Sequence, residues 1–324
     1  MEQTKPMEYR EYAEYTESRP DGQPEPCPPE EVLENRAEGK QGMQREKPEK
    51  TEKQDTYSEQ SEQSKQEPQR GRIHLMDELR GFAVFCMVFY HGFYSMANLF
   101  DMPLGAFLFR FFMPAEPWFA GLFILISGIS SNLSHSNLAR GAKLLVIALA
   151  VSLVTGLVVP QERILFGILH FLSVCMLLFG GLEALRKKRG RPAPPFRWGE
   201  LAAFAALFAL TLRVPSGFAG IPYLLEIPLP AGLYVYWLSP LGFCSPDFFS
   251  ADYFPLLPWV FIFFAGTVLG RLAAAGKFPR FAYPSRIPFF SWIGRHALVI
   301  YVLHQPVIFA LSSLVQLLPF MGGR

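Results

Sequence analysis

The chain has 324 residues, half of them apolar, and its 30 Lys and Arg nearly balance its 28 Asp and Glu. The charges are unevenly divided, because residues 1–70 hold 18 acidic and 11 basic side chains and residues 71–324 hold the remaining 10 and 19. Long apolar blocks in the second part exclude an ordinary soluble domain and indicate a protein that crosses a membrane several times. The four cysteines show no paired spacing, so neither a disulfide framework nor a metal site is expected.

The first segment, residues 1–70, is rich in Glu, Gln and Pro and contains no long apolar run. Such a segment cannot bury enough apolar surface to offset the conformational entropy that it would lose on folding. We therefore expect residues 1–70 to form a disordered acidic tail and residues 71–324 to form a separate transmembrane domain.

The membrane domain contains seven apolar stretches that are candidates for crossing the bilayer. A hydrocarbon core about 30 Å thick requires roughly 20 helical residues, which most of these stretches approach or exceed. The sequence therefore predicts an all-α fold, a polytopic transmembrane helical bundle of about seven spans. The predicted spans are Leu79–Phe100, Phe107–Ser130, Ala142–Val159, Ile164–Leu185, Trp198–Val214, Tyr253–Leu272 and Trp292–Pro319.

Two of the apolar stretches are irregular. The second predicted span contains Arg110, Pro114, Glu116 and Pro117, which favours a broken start. The stretch "AGLYVYWLSPLGF", residues 231–243, is too short to span the bilayer and contains a proline, so a re-entrant or interfacial element is expected there.

The basic residues of the loops predict the orientation of the chain. With a cytoplasmic N-terminus, the inward loops 131–143, 186–197 and 271–295 carry 13 Lys and Arg, and the outward loops carry three. This excess satisfies the positive-inside rule and places the C-terminus on the extracytoplasmic side of the cell membrane. The basic run Arg186–Arg191 belongs to that signal, so no nucleic-acid partner is expected.

The first predicted span carries polar side chains at helical spacing. Asp77, Arg80 and His91 fall on one stripe, while phenylalanines occupy the other faces. Eleven residues, about 16 Å, separate Arg80 from His91, so His91 lies deep in the bilayer and Arg80 near its cytoplasmic surface. Intramembrane ionisable residues are functional candidates by default. The simpler interpretations are a snorkelling Asp77–Arg80 pair and a histidine satisfied by one neighbour.

The last predicted span carries a second polar stripe, with Tyr301, His304 and Gln305 within about 120° of one another. Arg295 and His296 precede this stripe at the cytoplasmic end, where they suit an anionic ligand. Simple positive-inside anchoring explains Arg295 equally well. Together the two stripes predict that side chains of the first and last spans share one polar pocket.

A third group lies at the start of the sixth predicted span. Asp252 precedes that span on its outer side, and Trp259 and two prolines shape its first turns. Asp252 is a candidate for orienting an imidazole or holding a hydroxyl group, and an N-cap of the same helix is the structural alternative.

Four segments in chain order carry a resemblance to a known family: "RIHLMDELRGFAVFCMVFYHGF", "PWFAGLFILISGIS", "DYFPLLPWVFIFFAGTVLG" and "WIGRHALVIYVLHQPVI". They resemble the successive signature segments of bacterial proteins related to the heparan-alpha-glucosaminide N-acetyltransferase catalytic domain. The first segment, with Asp77, Arg80, Gly81 and His91, is also similar to the opening helix of the broader transmembrane acyltransferase superfamily. The resemblance covers about residues 72–312.

The resemblance implies acyl transfer across a membrane. The donor would be a cytoplasmic acyl-CoA, with acetyl-CoA the expected form, and the acceptor would be a hydroxyl or amine of a cell-envelope sugar or lipid reached from the other side. The family's intramembrane histidine corresponds most naturally to His91, its arginine to Arg80 and its late histidine to His304. No permanently bound cofactor is implied.

These considerations give an expected site, in which guanidinium groups bind the CoA phosphates and an imidazole takes a proton from the acceptor or carries the acyl group. Direct transfer and a covalent intermediate both remain open. The expected residues are His91, His304 and Asp252 for catalysis, Asp77, Arg80, Arg140, Arg295 and His296 for acyl-CoA, and Trp259, Tyr301 and Gln305 for the acceptor.

Two functions of other classes remain open. A transporter or flippase would use the polar stripes as a translocation path, although no internal repeat is recognisable. A non-catalytic membrane scaffold would use the acidic tail as a docking segment. The expected partners are the lipid bilayer, acyl-CoA and the glycan or lipid acceptor, and a homodimer is left open.

Overall fold

A computed structural model of the chain describes residues 71–98, 101–222 and 224–317. The predicted acidic tail, residues 1–70, lies outside the described residues, as do the final residues of the first and last predicted spans. The described residues are predominantly helical, which confirms the all-α class.

The helices and the small hairpin are numbered in chain order. The α-helices of the described residues are α1 His74–Asn98, α2 Pro103–Phe112, α3 Glu116–Ser131, α4 Asn137–Val158, α5 Ile168–Lys188, α6 Trp198–Thr211, α7 Leu256–Ala274, α8 Pro288–Arg295 and α9 Ala297–Leu317. Between α6 and α7 in the sequence, the strands β1 (Phe218–Ile221) and β2 (Leu225–Pro228) form an antiparallel hairpin that was not predicted.

Six helical segments of the described residues are long and apolar enough to cross a membrane, so the chain is a multi-pass membrane protein. They correspond in order to the second to seventh predicted spans. The helix α1 is not among them, although its 25 residues extend about 37 Å, because charged and polar side chains lower its hydropathy. The six segments are Pro103–Ser131, Asn137–Val158, Ile168–Lys188, Trp198–Ser216, Leu256–Ala274 and Ala297–Leu314.

Two predicted spans are interrupted in the structure. The second contains a 3₁₀ turn, Met113–Ala115, between α2 and α3, at the prolines that predicted a broken start. The last, Trp292–Pro319, was expected to be one helix, but α8 ends and α9 begins on either side of His296. His296 leaves the helical region at φ −103° and ψ 14°.

The short apolar stretch 231–243 forms no long helix. It contains two 3₁₀ segments, Ala231–Leu233 and Tyr236–Leu241, which agrees with the expectation that it does not span the bilayer. Trp237 in this stretch is 85% exposed, which suits an interfacial position, and the depth of the stretch in the membrane stays a prediction.

Small residues allow the helices that carry the site to cross closely. A Cβ atom at Gly128 of α3 would lie 2.1 Å from the carbonyl oxygen of Phe263, and one at Gly266 of α7 would lie 2.2 Å from that of Leu125. Membrane helices associate by such close backbone packing because lipid provides no hydrophobic drive between them. The pair α3 and α7 therefore forms a tightly packed frame.

The helix α1 packs on α8 by a similar contact, because a Cβ atom at Gly81 would meet the backbone of Phe290. The phenylalanine faces of α1 are consequently only partly exposed. Phe82 and Phe89 are each 43% exposed, whereas Phe85 packs against Phe290 with ring centroids 5.6 Å apart. Cys86 is buried as well.

Candidate active site

The beginning of α1 carries a compact group of ion pairs. The Asp77 carboxylate accepts hydrogen bonds from Arg72 Nε at 2.7 Å and Arg80 Nη1 at 3.1 Å. Arg80 Nη2 also donates to Ser130 Oγ at 2.5 Å, which connects α1 to the end of α3. The predicted Asp77–Arg80 pair is thus present, and its arginine is held by a second helix.

A cavity of about 770 Å³, named here the inner cavity, lies beside this group. Arg72, Arg80 and Arg140 line it, together with Asp77 and the small residues 273–276 that end α7. Three guanidinium groups face one carboxylate, so the lining carries a net positive charge. Guanidinium groups match phosphate oxygens in both charge and geometry, and the inner cavity therefore suits a phosphate-bearing ligand.

Arg295 and His296, two of the expected acyl-CoA ligands, do not line the inner cavity. Both side chains are exposed, and the His296 ring packs against Trp292 with centroids 4.7 Å apart. The reason is the break at His296 between α8 and α9. Because the helix is interrupted there, the polar stripe of α9 does not continue to Arg295 and His296.

Glu78, which sequence reasoning missed, is buried at the beginning of α1. Its Oε1 accepts hydrogen bonds from the backbone N–H groups of Arg286 at 2.7 Å and Ile287 at 2.9 Å, and from the Ser285 hydroxyl at 3.1 Å. The carboxylate thereby binds the two residues that precede α8, and one of them, the N-cap Ile287, has an N–H group that the helix leaves without an internal partner. Glu78 consequently anchors α8 to α1 beside Asp77.

A second cavity of about 250 Å³, named here the outer cavity, lies farther along α1. Tyr90 and His91 line it from α1, Glu116 from the start of α3, and Asp252 and Tyr253 from the loop before α7. Its lining contains two carboxyl groups and, among the described residues, neither lysine nor arginine. The inner cavity therefore presents guanidinium groups to a ligand, and the outer cavity presents carboxyl groups.

His91 and His304 meet beside the outer cavity, with ring centroids 5.0 Å apart, and each residue is 7% exposed. The Gln305 amide Nε2 lies 3.0 Å from His91 Nδ1 and holds that ring in place. His304 Nδ1 lies 2.5 Å from the Tyr301 carbonyl oxygen, which can only accept, so Nδ1 carries the hydrogen. In the neutral ring, His304 Nε2 then has a free lone pair, and it has no hydrogen-bond partner among the described residues.

Asp252 connects the outer cavity to two helices. Its Oδ2 accepts hydrogen bonds from the Tyr301 hydroxyl of α9 at 2.5 Å and from the backbone N–H of Ile168 in α5 at 3.2 Å. Burial raises the pKa of the Asp252 carboxyl group, and these two hydrogen bonds partly oppose the rise. The structural alternative, that Asp252 is the N-cap of α7, is wrong, because no side chain caps the start of α7. Asp252 instead binds the first turn of α5.

Trp259, expected to contact the acceptor, lines neither cavity. Its ring packs against Phe208 of α6 and Phe254, with centroids 5.7 Å away in both cases. An aromatic side chain of this size is placed by the packing of α6 on α7, which the spacing within one helix does not reveal.

Glu116 and Tyr90 line the outer cavity, and neither was among the expected site residues. A signal for Glu116 was available, since an acidic residue between Pro114 and Pro117 is unusual inside an apolar span. No such signal marked Tyr90, because tyrosine is common in membrane helices near the interface.

Comparison with known proteins gives one match. The sequence model of the family described as "Heparan-alpha-glucosaminide N-acetyltransferase, catalytic" matches residues 72–306, well over half of the chain. The matched range contains Asp252, the His91–His304 pair and every described residue that lines either cavity except Gly71. No curated protein and no solved structure matches the chain.

Proposed function

We propose, from the premise that this chain belongs to the heparan-alpha-glucosaminide N-acetyltransferase catalytic family, that it transfers an acetyl group from cytoplasmic acetyl-CoA to an extracytoplasmic acceptor. The acceptor group is a hydroxyl or amine of a cell-envelope sugar or lipid. Membership of the family indicates membrane-bound acetyl transfer. We propose in addition the donor, the acceptor and the roles of individual residues.

The observation that carries the proposal is the pairing of His91 with His304 beside the outer cavity. A buried imidazole with a free lone pair, next to a second imidazole that lines a cavity, can accept a proton from an attacking group. A histidine pair that served packing alone would not need to border a cavity with two carboxyl groups.

The donor is proposed to enter the inner cavity. Arg72, Arg80 and Arg140 would bind the CoA phosphates, and Asp77 would keep the first two arginines in position through its ion pairs. About 16 Å of α1 separates Arg80 from His91. The pantetheine arm would therefore extend along α1 past Ala83 and Val84, which are fully buried in this structure. Binding of the arm would thus require α1 and the helices packed against it to separate locally.

In the transfer step, a lone pair of the acceptor oxygen or nitrogen attacks the thioester carbonyl carbon. The carbon–sulfur bond breaks, CoA leaves as a thiolate, and the acceptor proton passes to the histidine pair and on to the thiolate. A route in which His91 first carries the acetyl group balances equally well. Asp252 and Tyr301 would position the loop and α9 around the reacting groups through their hydrogen bond.

The proposed orientation has the N-terminus and the inner cavity on the cytoplasmic side and the outer cavity on the extracytoplasmic side. The excess of basic residues in loops 131–143, 186–197 and 271–295 supports this orientation. It gives the arginine-lined inner cavity access to cytoplasmic acetyl-CoA and the outer cavity access to an external acceptor.

The test uses the purified full-length protein in lipid nanodiscs with radiolabelled acetyl-CoA and a mixed extract of envelope glycans and lipids. We expect label to appear in the extract with the wild type and to fall about a hundredfold or more with His91→Gln, the usual scale for a general base. The control is His135→Gln, an exposed histidine that lines neither cavity.

The proposal fails if the wild type transfers no label, or if His91→Gln transfers as much as the control. Solute flux in proteoliposomes without consumption of acetyl-CoA would instead support the transporter alternative. Loss of function on deletion of residues 1–70 with a silent His91→Gln would support the scaffold.

A further inference from the structure

Glu116 occupies a position that the proposed function leaves without a role. It is the first residue of α3, it lines the outer cavity together with His91, and it is partly buried. Its backbone N–H donates to the Met113 carbonyl oxygen, but its carboxyl group makes no hydrogen bond or ion pair with any described residue. A carboxyl group placed in a cavity without a protein partner is available to a ligand.

The other carboxyl group of the outer cavity is not available in this way. Asp252 already accepts hydrogen bonds from Tyr301 and Ile168. A ligand that enters the cavity therefore meets one carboxyl group whose Oδ2 is already bonded to the protein and one carboxyl group that is free, in a cavity that His91 also lines.

The charge of the cavity limits the chemistry of the ligand. Because the described lining has two carboxyl groups and no lysine or arginine, a phosphate or carboxylate of the acceptor would find no cationic side chain to pair with there. A hydroxyl or ammonium group would instead donate a charge-assisted hydrogen bond to the free carboxylate.

The size of the cavity limits how much of the acceptor enters. Its volume of about 250 Å³ lies below the roughly 300–1,000 Å³ that is usual for a whole small-molecule ligand. The outer cavity is therefore suited to the reacting end of a longer molecule, with the remainder outside.

We propose that Glu116 is an acceptor-binding residue, whose carboxylate accepts a hydrogen bond from a hydroxyl or ammonium group of the acceptor and holds the reacting end against His91. This inference rests on the proposed acetyl transfer. It restricts the acceptor to a molecule whose reacting end bears hydrogen-bond donors and no negative charge.

A structural role for Glu116 makes a different prediction. An acidic residue in the first turn of a helix interacts favourably with the helix dipole. If that were its only role, Glu116→Gln would lower the thermal stability slightly and leave the acceptor dependence of the reaction unchanged.

The test measures acetyl transfer by the full-length protein in nanodiscs while the envelope extract is varied as a dilution series. For Glu116→Gln we expect the half-saturating extract concentration to rise about tenfold or more, as for the loss of a charge-assisted hydrogen bond. The half-saturating acetyl-CoA concentration should stay within about twofold, because the inner cavity is unchanged, and Glu116→Asp should recover part of the loss.

Glu162→Gln is the matched control, since Glu162 lies on the same predicted outer side, contacts Tyr94 at 3.4 Å and lines neither cavity. Suppose that the wild type transfers acetyl groups and that Glu116→Gln has the same half-saturating extract concentration as Glu162→Gln. The assignment of Glu116 is then overturned, while the proposed function stands. An equal loss of affinity for both substrates would overturn it too. A wild type without transferase activity would instead refute the proposed function itself.

Discussion

The hydrogen bond between Tyr301 and Asp252 offers a quantitative test of how the outer cavity is assembled. The hydroxyl group donates to Oδ2 at 2.5 Å, and both residues are 7% exposed. Removing the hydroxyl by Tyr301→Phe leaves a buried carboxyl group with one partner fewer, at a cost of about 1–3 kcal/mol. Asp252→Asn keeps the volume of the side chain, removes the charge and also weakens the contact with Ile168.

The two variants and their combination form a double-mutant cycle. For a domain of about 250 residues, the size of residues 71–324, a loss of 1 kcal/mol lowers the midpoint of thermal unfolding by about 2 °C. If the two groups interact directly, the double variant should be more stable than the sum of the single effects predicts, by a coupling energy of about 1–3 kcal/mol.

The assay is thermal unfolding in nanodiscs, followed by tryptophan fluorescence, together with acetyl transfer on the same samples. We expect the single variants to lose transfer activity because the loop that lines the outer cavity is no longer held to α9. Single effects that add to within about 0.5 kcal/mol, the range found for independent sites, would refute the proposed coupling.

Three further predictions concern the helices that frame the site. Arg80→Gln should raise the half-saturating acetyl-CoA concentration in the transfer assay about tenfold or more, because a charged hydrogen bond is lost. The control Arg280→Gln should leave that concentration unchanged, since Arg280 is exposed and lines neither cavity. Equal effects of the two variants would contradict the inner cavity as the donor site. Gly266→Ala places a Cβ atom 2.2 Å from a backbone oxygen and should cost about 1–3 kcal/mol in thermal unfolding, while Gly156→Ala, with nothing within 4 Å, should be neutral or stabilising. Glu78→Gln should destabilise the protein by about 1–3 kcal/mol, because a neutral amide replaces the carboxylate that binds the start of α8; an unchanged unfolding midpoint would exclude that anchor.

Much of the site was accessible from the sequence because helical periodicity places residues on a face without knowledge of the partner. The stripes on the first and last spans predicted that His91 and His304 would approach one another, and the structure brings their rings to 5.0 Å. The Asp77–Arg80 pair followed from a spacing of three residues, which is a contact distance within one helix.

The parts that sequence reasoning missed depend on contacts between distant segments. Glu78 binds residues more than 200 positions away, and no periodicity within α1 marks it. Asp252 was considered as a cap of the following helix, yet it binds the first turn of α5, 84 residues earlier in the chain. Trp259 was expected to contact the acceptor because it lies near Asp252 in the sequence. In the structure, the packing of α6 on α7 instead places its ring against Phe208.

By itself, the sequence determined that the chain crosses a membrane several times, that its family is one of membrane acetyltransferases, and that polar stripes mark the first and last helices. The membrane crossings and the stripes follow from composition, hydropathy and local spacing, which act within single segments, and the family follows from the resemblance of the signature segments and the family match. Only the tertiary structure decided that the described residues enclose one cavity lined by arginines and another lined by carboxyl groups, that Arg295 and His296 lie outside both, and that Glu116 lines the second. The physical reason is that a cavity is the space left between helices, so its position depends on close crossings such as that of Gly128 with Gly266 and on breaks such as that at His296.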